Sequence, residues 1–221
     1  MLRRLNIDQP TSFKFTKENQ IWVQEQIKKY PPGRQASAVI PLLWRAQEQE
    51  GWISEAVVKA VAEILQMAPV RVFEVASFYF MFHLKPVGSI AHVQVCGTTP
   101  CMLCDSENLI EVCKQKINKE ANTLSEDGTL SWEEVECLGA CANAPIVQIG
   151  KDYYEDLNSS KFADLIDSFK SGEVPRPGSQ IGRFSSEPKG SRTSLKNKTS
   201  QKANASVLLA IKHKDTIKRK S

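Results

Sequence analysis

The chain has 221 residues, enough for one large domain or two small ones, and 41% of them are apolar, which suffices for a hydrophobic core. Its net charge of +4 is unevenly spread. Residues 182–221 hold 11 Lys and Arg against 2 Asp and Glu, whereas the rest hold 18 against 23. No apolar run reaches the roughly 18 residues of a membrane-spanning helix, so we expect no membrane span.

The first residues, MLRRLNIDQPTSF, lack the apolar stretch of a signal peptide, so we expect the protein to stay in the compartment where it is made. Disulfides are uncommon in reducing compartments. The six cysteines are therefore expected to act as metal ligands, redox groups or core residues.

Apolar residues recur at helical spacing in four segments between residues 16 and 84. Ser54 is a candidate N-cap, and Pro41 and Pro69 suit first turns, where a missing N–H costs little. The helical stripe of the first helix is Ile21, Trp22, Gln24, Ile27 and Lys28, of which the apolar residues are expected to face the core. The residues expected to face the core in the other helices are Val39, Leu42, Leu43 and Ala46 in the second, Val57, Val58, Val61, Ile64 and Leu65 in the third, and Val72, Phe73, Ala76 and Phe80 in the fourth. This pattern predicts a helical amino-terminal domain over residues 12–86.

The apolar period changes after residue 88. Strands are predicted at residues 90–96, 129–136, 146–149 and 153–154, with helices starting near residue 105 and at residue 159 or 160. The order β-α-β-β-α predicts an α/β domain over residues 88–174. Residues 175–221 are rich in Pro, Gly, Ser, Lys and Arg, which predicts an extended segment and then a basic, disordered tail from Ser191.

Four of the six cysteines lie in two short loops, each expected to follow a strand. The first cysteine loop, residues 96–101 within VQVCGTTPC, contributes Cys96 and Cys101. The second cysteine loop, residues 137–141 within VECLGAC, contributes Cys137 and Cys141. A [2Fe–2S] cluster needs four such thiolates, so these motifs indicate an electron carrier.

Structural zinc is the main alternative ligand, since it also takes four cysteines. Gly97 and Gly139 favour iron–sulfur, because they let backbone N–H groups approach the cluster sulfurs. Neither loop contains Lys or Arg, so we expect a cluster of low reduction potential. A further arrangement uses Cys96, Cys101 and Cys104 in the C-x4-C-x2-C spacing of plant-type ferredoxins. It is disfavoured because it would leave one cysteine of the second loop without a role.

The sequence lacks the common motifs of catalysis and of nucleotide binding. It has no glycine-rich dinucleotide fingerprint and no P-loop, so we expect no catalytic residues. His83, His92 and His213 show no spacing that suggests a triad, and His92 is predicted to be structural. Cys113 is predicted to be a buried residue on the inner face of a helix.

Six segments of the chain resemble the NuoE-like family, the iron–sulfur subunit of respiratory NADH:quinone oxidoreductase (complex I). They are ASAVIPLLWRAQEQEGWIS, ASFYFMF, VQVCGTTPCML, VECLGACANAP, VQIGKDYYEDL and PRPGSQIGRFSSEP. The resemblance covers roughly residues 12–195. It implies a helical amino-terminal domain, a thioredoxin-like [2Fe–2S] ferredoxin domain and one cluster held by Cys96, Cys101, Cys137 and Cys141, with Cys104 and Cys113 outside the ligand set.

The resemblance also implies the partners and the setting of the protein. FMN and NADH are expected on a neighbouring subunit, so the isolated chain should not oxidise NADH. Other iron–sulfur subunits of the peripheral arm are expected partners, and nucleic acid is not. The expected location is the cytoplasmic side of the bacterial inner membrane, or the matrix side in mitochondria, as part of a proton-translocating complex that reduces quinone. The alternatives are an equivalent subunit of a soluble NAD-linked hydrogenase or formate dehydrogenase, and a zinc-stabilised interaction module.

Overall fold

The computed structural model describes residues 3–190, 193–194, 208–209 and 212. The described residues fall into two compact units, one up to Val87 and the other from Gly88. Within these residues, no helix combines the length and the apolar character that a membrane crossing requires. The predicted disordered tail lies largely outside the described residues, and His213 does so entirely.

The first unit is a helical bundle. Its helices are α1 (Lys17–Ile27), α2 (Val39–Glu50), α3 (Glu55–Leu65) and α4 (Pro69–Phe78), with a 3-10 turn at Gln35–Ala38 before α2. The Ser54 hydroxyl accepts a hydrogen bond from the Val57 N–H at 3.2 Å, which confirms it as the cap of α3. Gly51 ends α2 in a left-handed conformation. The inward faces predicted for α2 and α3 are buried, apart from the partly buried Ile64.

Two residues predicted to face the core of this unit are exposed instead. Ile21 is 68% exposed, because the buried residue of α1 is Val23, which lies two positions and about 200° further round the helix. Phe80 is 77% exposed, because α4 ends at Phe78 and Tyr79 is extended, so Phe80 no longer follows the helical period.

The second unit is built on a five-stranded sheet. The strands are β1 (Ala91–Cys96), β2 (Leu130–Val135), β3 (Val147–Ile149), β4 (Asp152–Glu155) and β5 (Gly178–Ser179), in the order β2-β1-β3-β4-β5. Strands β1 and β2 are parallel, as are β4 and β5, whereas β3 runs antiparallel to both of its neighbours. The four longer strands agree with the sequence pattern, and β5 was not predicted.

Up to Gly190, the α-helices of this unit are α5 (Thr99–Leu103), α6 (Ser106–Lys116) and α7 (Ser159–Ser171). Its core joins α6, α7 and one face of the sheet, with fully buried Tyr154 and Phe162 among its largest side chains. Cys113 is buried in this core, as predicted, and burial raises the pKa of its thiol.

The segment after α7 returns to the sheet instead of leaving it. Its residues 178–187, here called the C-terminal strap, begin with β5 beside β4. The Gln180 N–H then donates to the Glu155 carbonyl at 2.9 Å. This segment was predicted to be extended, and its packing against the second unit was not foreseen.

Candidate metal centre

The parallel pairing of β1 and β2 brings the two cysteine loops together. In this register Cys96, the last residue of β1, lies opposite Val135, the last residue of β2. Parallel strands end at the same edge of a sheet, so both loops leave from one edge. Two sequence segments about 40 residues apart therefore meet at one place.

The first cysteine loop holds its two thiols in buried positions. Cys96 and Cys101 are both fully buried, Cys96 at the end of β1 and Cys101 within the short helix α5. The Thr98 hydroxyl lies 3.3 Å from Cys96 Sγ. An added Cβ at Gly97 would clash with the Glu134 carboxylate, so a glycine here lets an acidic side chain pack against the loop.

The second cysteine loop holds its thiols at the surface. Cys137 and Cys141 are exposed, and their sulfur atoms lie 3.5 Å apart. Gly139 has φ +82° and donates its N–H to Cys137 Sγ at 3.4 Å. This left-handed conformation suits glycine and strains other residues, so the conformation that aims the N–H at the sulfur depends on glycine.

One hydroxyl influences both pairs. The Thr98 hydroxyl lies 3.3 Å from Cys96 Sγ of the first loop, and it also lowers the pKa of Cys137 in the second loop. Cys101 also interacts electrostatically with Cys141. All four thiols are thus close enough to affect one another, which is the convergence that a shared metal centre requires.

The pKa values of the four thiols reflect this crowding. Burial raises the pKa of Cys96, but hydrogen bonds from Thr98 and Leu138 outweigh it, and the pKa is lowered overall. Burial and the neighbouring Cys96 raise the pKa of Cys101 to about 12. The Gly139 N–H lowers the pKa of Cys137.

The pKa of Cys141 is raised by its contact with Cys137. Each loop therefore contains one thiol that ionises more readily and one that resists, because two adjacent thiolates repel each other. Bound metal cations would remove that repulsion and stabilise all four thiolates together. The donor set consequently fits an iron–sulfur cluster.

The other two cysteines are placed at the end of α5 and within α6. Cys104 is exposed at the carboxyl end of α5, and Cys113 is buried in the core beside Leu109. His92 extends from β1, and its Nδ1 lies 2.7 Å from the Ser131 hydroxyl on β2, a cross-strand contact consistent with the structural role predicted for it.

Sequence reasoning missed three residues at this site. Thr98 stands within the first cysteine loop, so its place between two cysteines could have suggested a contact with a sulfur. The Tyr153 hydroxyl donates to the Leu138 carbonyl at 2.8 Å, and Arg183 Nη2 donates to the Ala142 carbonyl at 3.1 Å. Neither contact leaves a local signal in the sequence, because each joins residues far apart along the chain.

Comparison with known proteins agrees with this geometry. The family profile described as thioredoxin-like [2Fe–2S] ferredoxin matches residues 23–170, which is more than half of the chain. A solved structure of an NAD+-reducing [NiFe]-hydrogenase in the H2-reduced state superposes with a TM-score of 0.55 at 15% identity, over 62% of this chain and 23% of that chain. At this identity the hydrogenase supports the fold alone.

Curated relatives are much more similar in sequence. An E-type subunit of NADH-quinone oxidoreductase from Rhizobium meliloti (strain 1021) is 57% identical over 198 residues, covering 88% of this chain and 72% of the relative. The E-type subunit from Rickettsia bellii (strain RML369-C) is 47% identical over 161 residues, covering 72% of this chain and 96% of the relative. The chain therefore belongs to the thioredoxin-like [2Fe–2S] ferredoxins and, among them, to the E-type subunits of NADH-quinone oxidoreductase. The family, fold class, [2Fe–2S] cofactor and electron-transfer function predicted from the sequence are confirmed.

Proposed function

We propose that Cys96, Cys101, Cys137 and Cys141 hold one [2Fe–2S] cluster, through which the chain accepts single electrons from FMN on a neighbouring NADH-binding subunit. The observation that supports the ligand assignment is the parallel register of β1 and β2, which places Cys96 opposite Val135, so that both cysteine loops leave the sheet at the same edge.

The chain's own residues supply the surroundings of the cluster. When bound, a [2Fe–2S] cluster takes up and passes on one electron at a time. The Gly139 N–H and the Thr98 hydroxyl donate toward the sulfurs of Cys137 and Cys96 and so offset part of their negative charge. The carboxylate of Glu134 packs against Gly97, so an acidic side chain lies beside the first cysteine loop.

The partners and the location follow from membership of a multisubunit enzyme. We infer contacts with the FMN- and NADH-binding subunit and with other iron–sulfur subunits of the peripheral arm of complex I. Rhizobium and Rickettsia, the sources of the similar proteins, are bacteria, so the inferred location is the cytoplasmic side of the inner membrane. Quinone reduction and proton translocation belong to the whole complex.

Metal analysis of the purified chain tests the cluster. We expect a brown protein with about two irons and two sulfides per chain, and a spin-1/2 electron paramagnetic resonance (EPR) signal after reduction with dithionite. A colourless protein containing stoichiometric zinc would contradict the proposal, because zinc has no redox chemistry.

A second experiment tests the source of the electrons. The isolated chain should show no NADH–ferricyanide turnover, since its sequence has no dinucleotide fingerprint. Adding the FMN-containing partner and NADH should reduce the cluster and produce the same EPR signal that dithionite gives. NADH oxidation by the flavin-free chain alone, or a cluster that stays oxidised in the complex, would be the contrary result.

A further inference from the structure

The C-terminal strap crosses the second unit beside the second cysteine loop. After β5, the strap carries Arg183 toward Asp156, the residue that follows β4. The Ser179 hydroxyl donates to Asp156 Oδ2 at 2.7 Å. The Asp156 N–H donates in turn to the Asn143 carbonyl at 2.8 Å, just beyond the loop. Asp156 therefore stands between the strap and the chain that carries Cys141.

Arg183 makes the central contacts of this arrangement. Its guanidinium forms a two-pronged ion pair with Asp156, through Nε at 3.0 Å and through Nη2. Both side chains are buried, with 9% of Arg183 and 1% of Asp156 exposed. Arg183 Nη1 also donates to the Glu187 carbonyl at 2.9 Å, so the same side chain also links two residues within the strap.

The same guanidinium reaches the residue after Cys141. Arg183 Nη2 donates to the Ala142 carbonyl at 3.1 Å, and Asn143 Nδ2 donates to the Ser185 carbonyl of the strap at 2.8 Å. Two consecutive residues beyond Cys141 are thus hydrogen-bonded to the strap. The planar guanidinium suits this task, because it can bind a carboxylate and a carbonyl at the same time.

We propose that Arg183 is a positioning residue that fastens the C-terminal strap to the second cysteine loop and so holds Cys141 in the geometry needed by the cluster. The inference rests on the proposed ligand assignment. The Asp156 carboxylate neutralises the guanidinium, so Arg183 adds little net charge beside the cysteine loop. Its main effect is therefore on the position of the loop. Loss of the side chain should let Cys141 move and make the cluster easier to extract.

The test compares the full chain with its Arg183→Gln and Arg183→Lys variants after reconstitution with iron and sulfide. In Arg183→Gln, the half-life of the cluster absorbance in excess EDTA should fall about tenfold or more, since charged hydrogen bonds to buried groups are lost. The EPR g-values of the reduced cluster should shift as well. Arg183→Lys should recover only part of the half-life, because an ammonium group cannot bind Asp156 in two-pronged fashion and still reach Ala142.

Arg176→Gln is the matched control, because it removes the same charge shortly before the strap. It should keep the wild-type half-life and g-values. A chain ended after Gly190 retains the strap and should behave like the wild type, whereas one ended after Val174 should lose iron rapidly.

The outcomes separate the two proposals. A wild-type chain that binds no iron and sulfide overturns the ligand assignment itself. A wild-type chain with a normal cluster, alongside an Arg183→Gln variant with unchanged half-life and g-values, overturns the role of Arg183 alone. A lower melting temperature with unchanged cluster properties also overturns it, because Arg183 would then stabilise the fold without positioning the loop.

Discussion

The Tyr153 hydroxyl donates a hydrogen bond to the Leu138 carbonyl at 2.8 Å and thereby ties β4 to the middle of the second cysteine loop. Burial raises the pKa of this tyrosine, and the negative charges of Cys137 and Cys96 raise it further. The hydroxyl therefore keeps its proton at neutral pH and remains a donor.

Replacing Tyr153 by Phe removes this tie and leaves the ring in place. We expect a loss of about 1 kcal/mol in the free energy of unfolding and a shorter half-life of the cluster in excess EDTA. Tyr154→Phe is the control, since its hydroxyl donates to the Pro175 carbonyl at 3.1 Å, away from the loop. Equal cluster half-lives in the two variants would mean that the Tyr153 hydroxyl does not hold the loop.

Gly139→Ala tests the left-handed turn of the second cysteine loop. An added Cβ would meet no atom within 4 Å, so the strain comes from the φ of +82° alone, and it should cost about 1–2 kcal/mol. We expect a lower iron content, because the N–H directed at Cys137 would turn away. Gly128→Ala introduces a Cβ at a φ of +68°, also in open space, and should lower the melting temperature while iron content stays the same.

The ligand set is tested by single substitutions of the cysteines. Each of Cys96→Ala, Cys101→Ala, Cys137→Ala and Cys141→Ala should abolish or alter the EPR signal, because one iron would lose a thiolate. Cys104→Ser should leave the signal nearly unchanged. Cys113→Ser should keep the cluster and cost roughly 1–3 kcal/mol of stability, because a buried hydroxyl needs a hydrogen-bond partner.

One pattern of results would revise this ligand set. If Cys104→Ser abolishes the signal while Cys137→Ala or Cys141→Ala spares it, then the cluster ligands include the plant-type set of Cys96, Cys101 and Cys104. The same EPR samples test both ligand sets, and iron content measured in parallel distinguishes a changed cluster from a lost one.

Because of Asp127, the stability of the fold is expected to depend on pH in the acidic range. Hydrogen bonds from the Ser125 hydroxyl at 2.6 Å, and from the Thr129 hydroxyl at 2.7 Å and N–H at 3.0 Å, lower its pKa from 3.8 to about 2. A carboxyl with a lowered folded-state pKa stabilises the fold above its unfolded pKa, and this contribution is lost as the pH falls through the folded value.

Asp127→Asn should therefore melt at a lower temperature than the wild type near pH 6, and this difference should shrink between about pH 4 and pH 2. Thermal melting across this range measures it. Glu126→Gln, an exposed neighbour, removes the same charge without those three hydrogen bonds. A difference between Asp127→Asn and the wild type that stays constant down to about pH 2 would contradict this account.

The sequence alone determined the features that depend on neighbouring residues. Helices α2 and α3, with their buried faces, follow from apolar spacing, because a helix places residues three and four apart on one side. The paired cysteine loops can also be recognised from the sequence, because each has two thiols within a few residues. The exposure of the Phe80 side chain could not be predicted from the sequence, because it depends on where α4 ends.

Only the tertiary structure decided how the loops meet and what holds them. Their convergence depends on the parallel register of β1 and β2, which no local pattern encodes. The contact between Tyr153 and Leu138 joins residues 15 apart, and that between Arg183 and Ala142 joins residues 41 apart. Such contacts form because strand order and the path of the strap place these groups side by side. A buried polar group without a hydrogen-bond partner costs free energy, so these groups pair with each other.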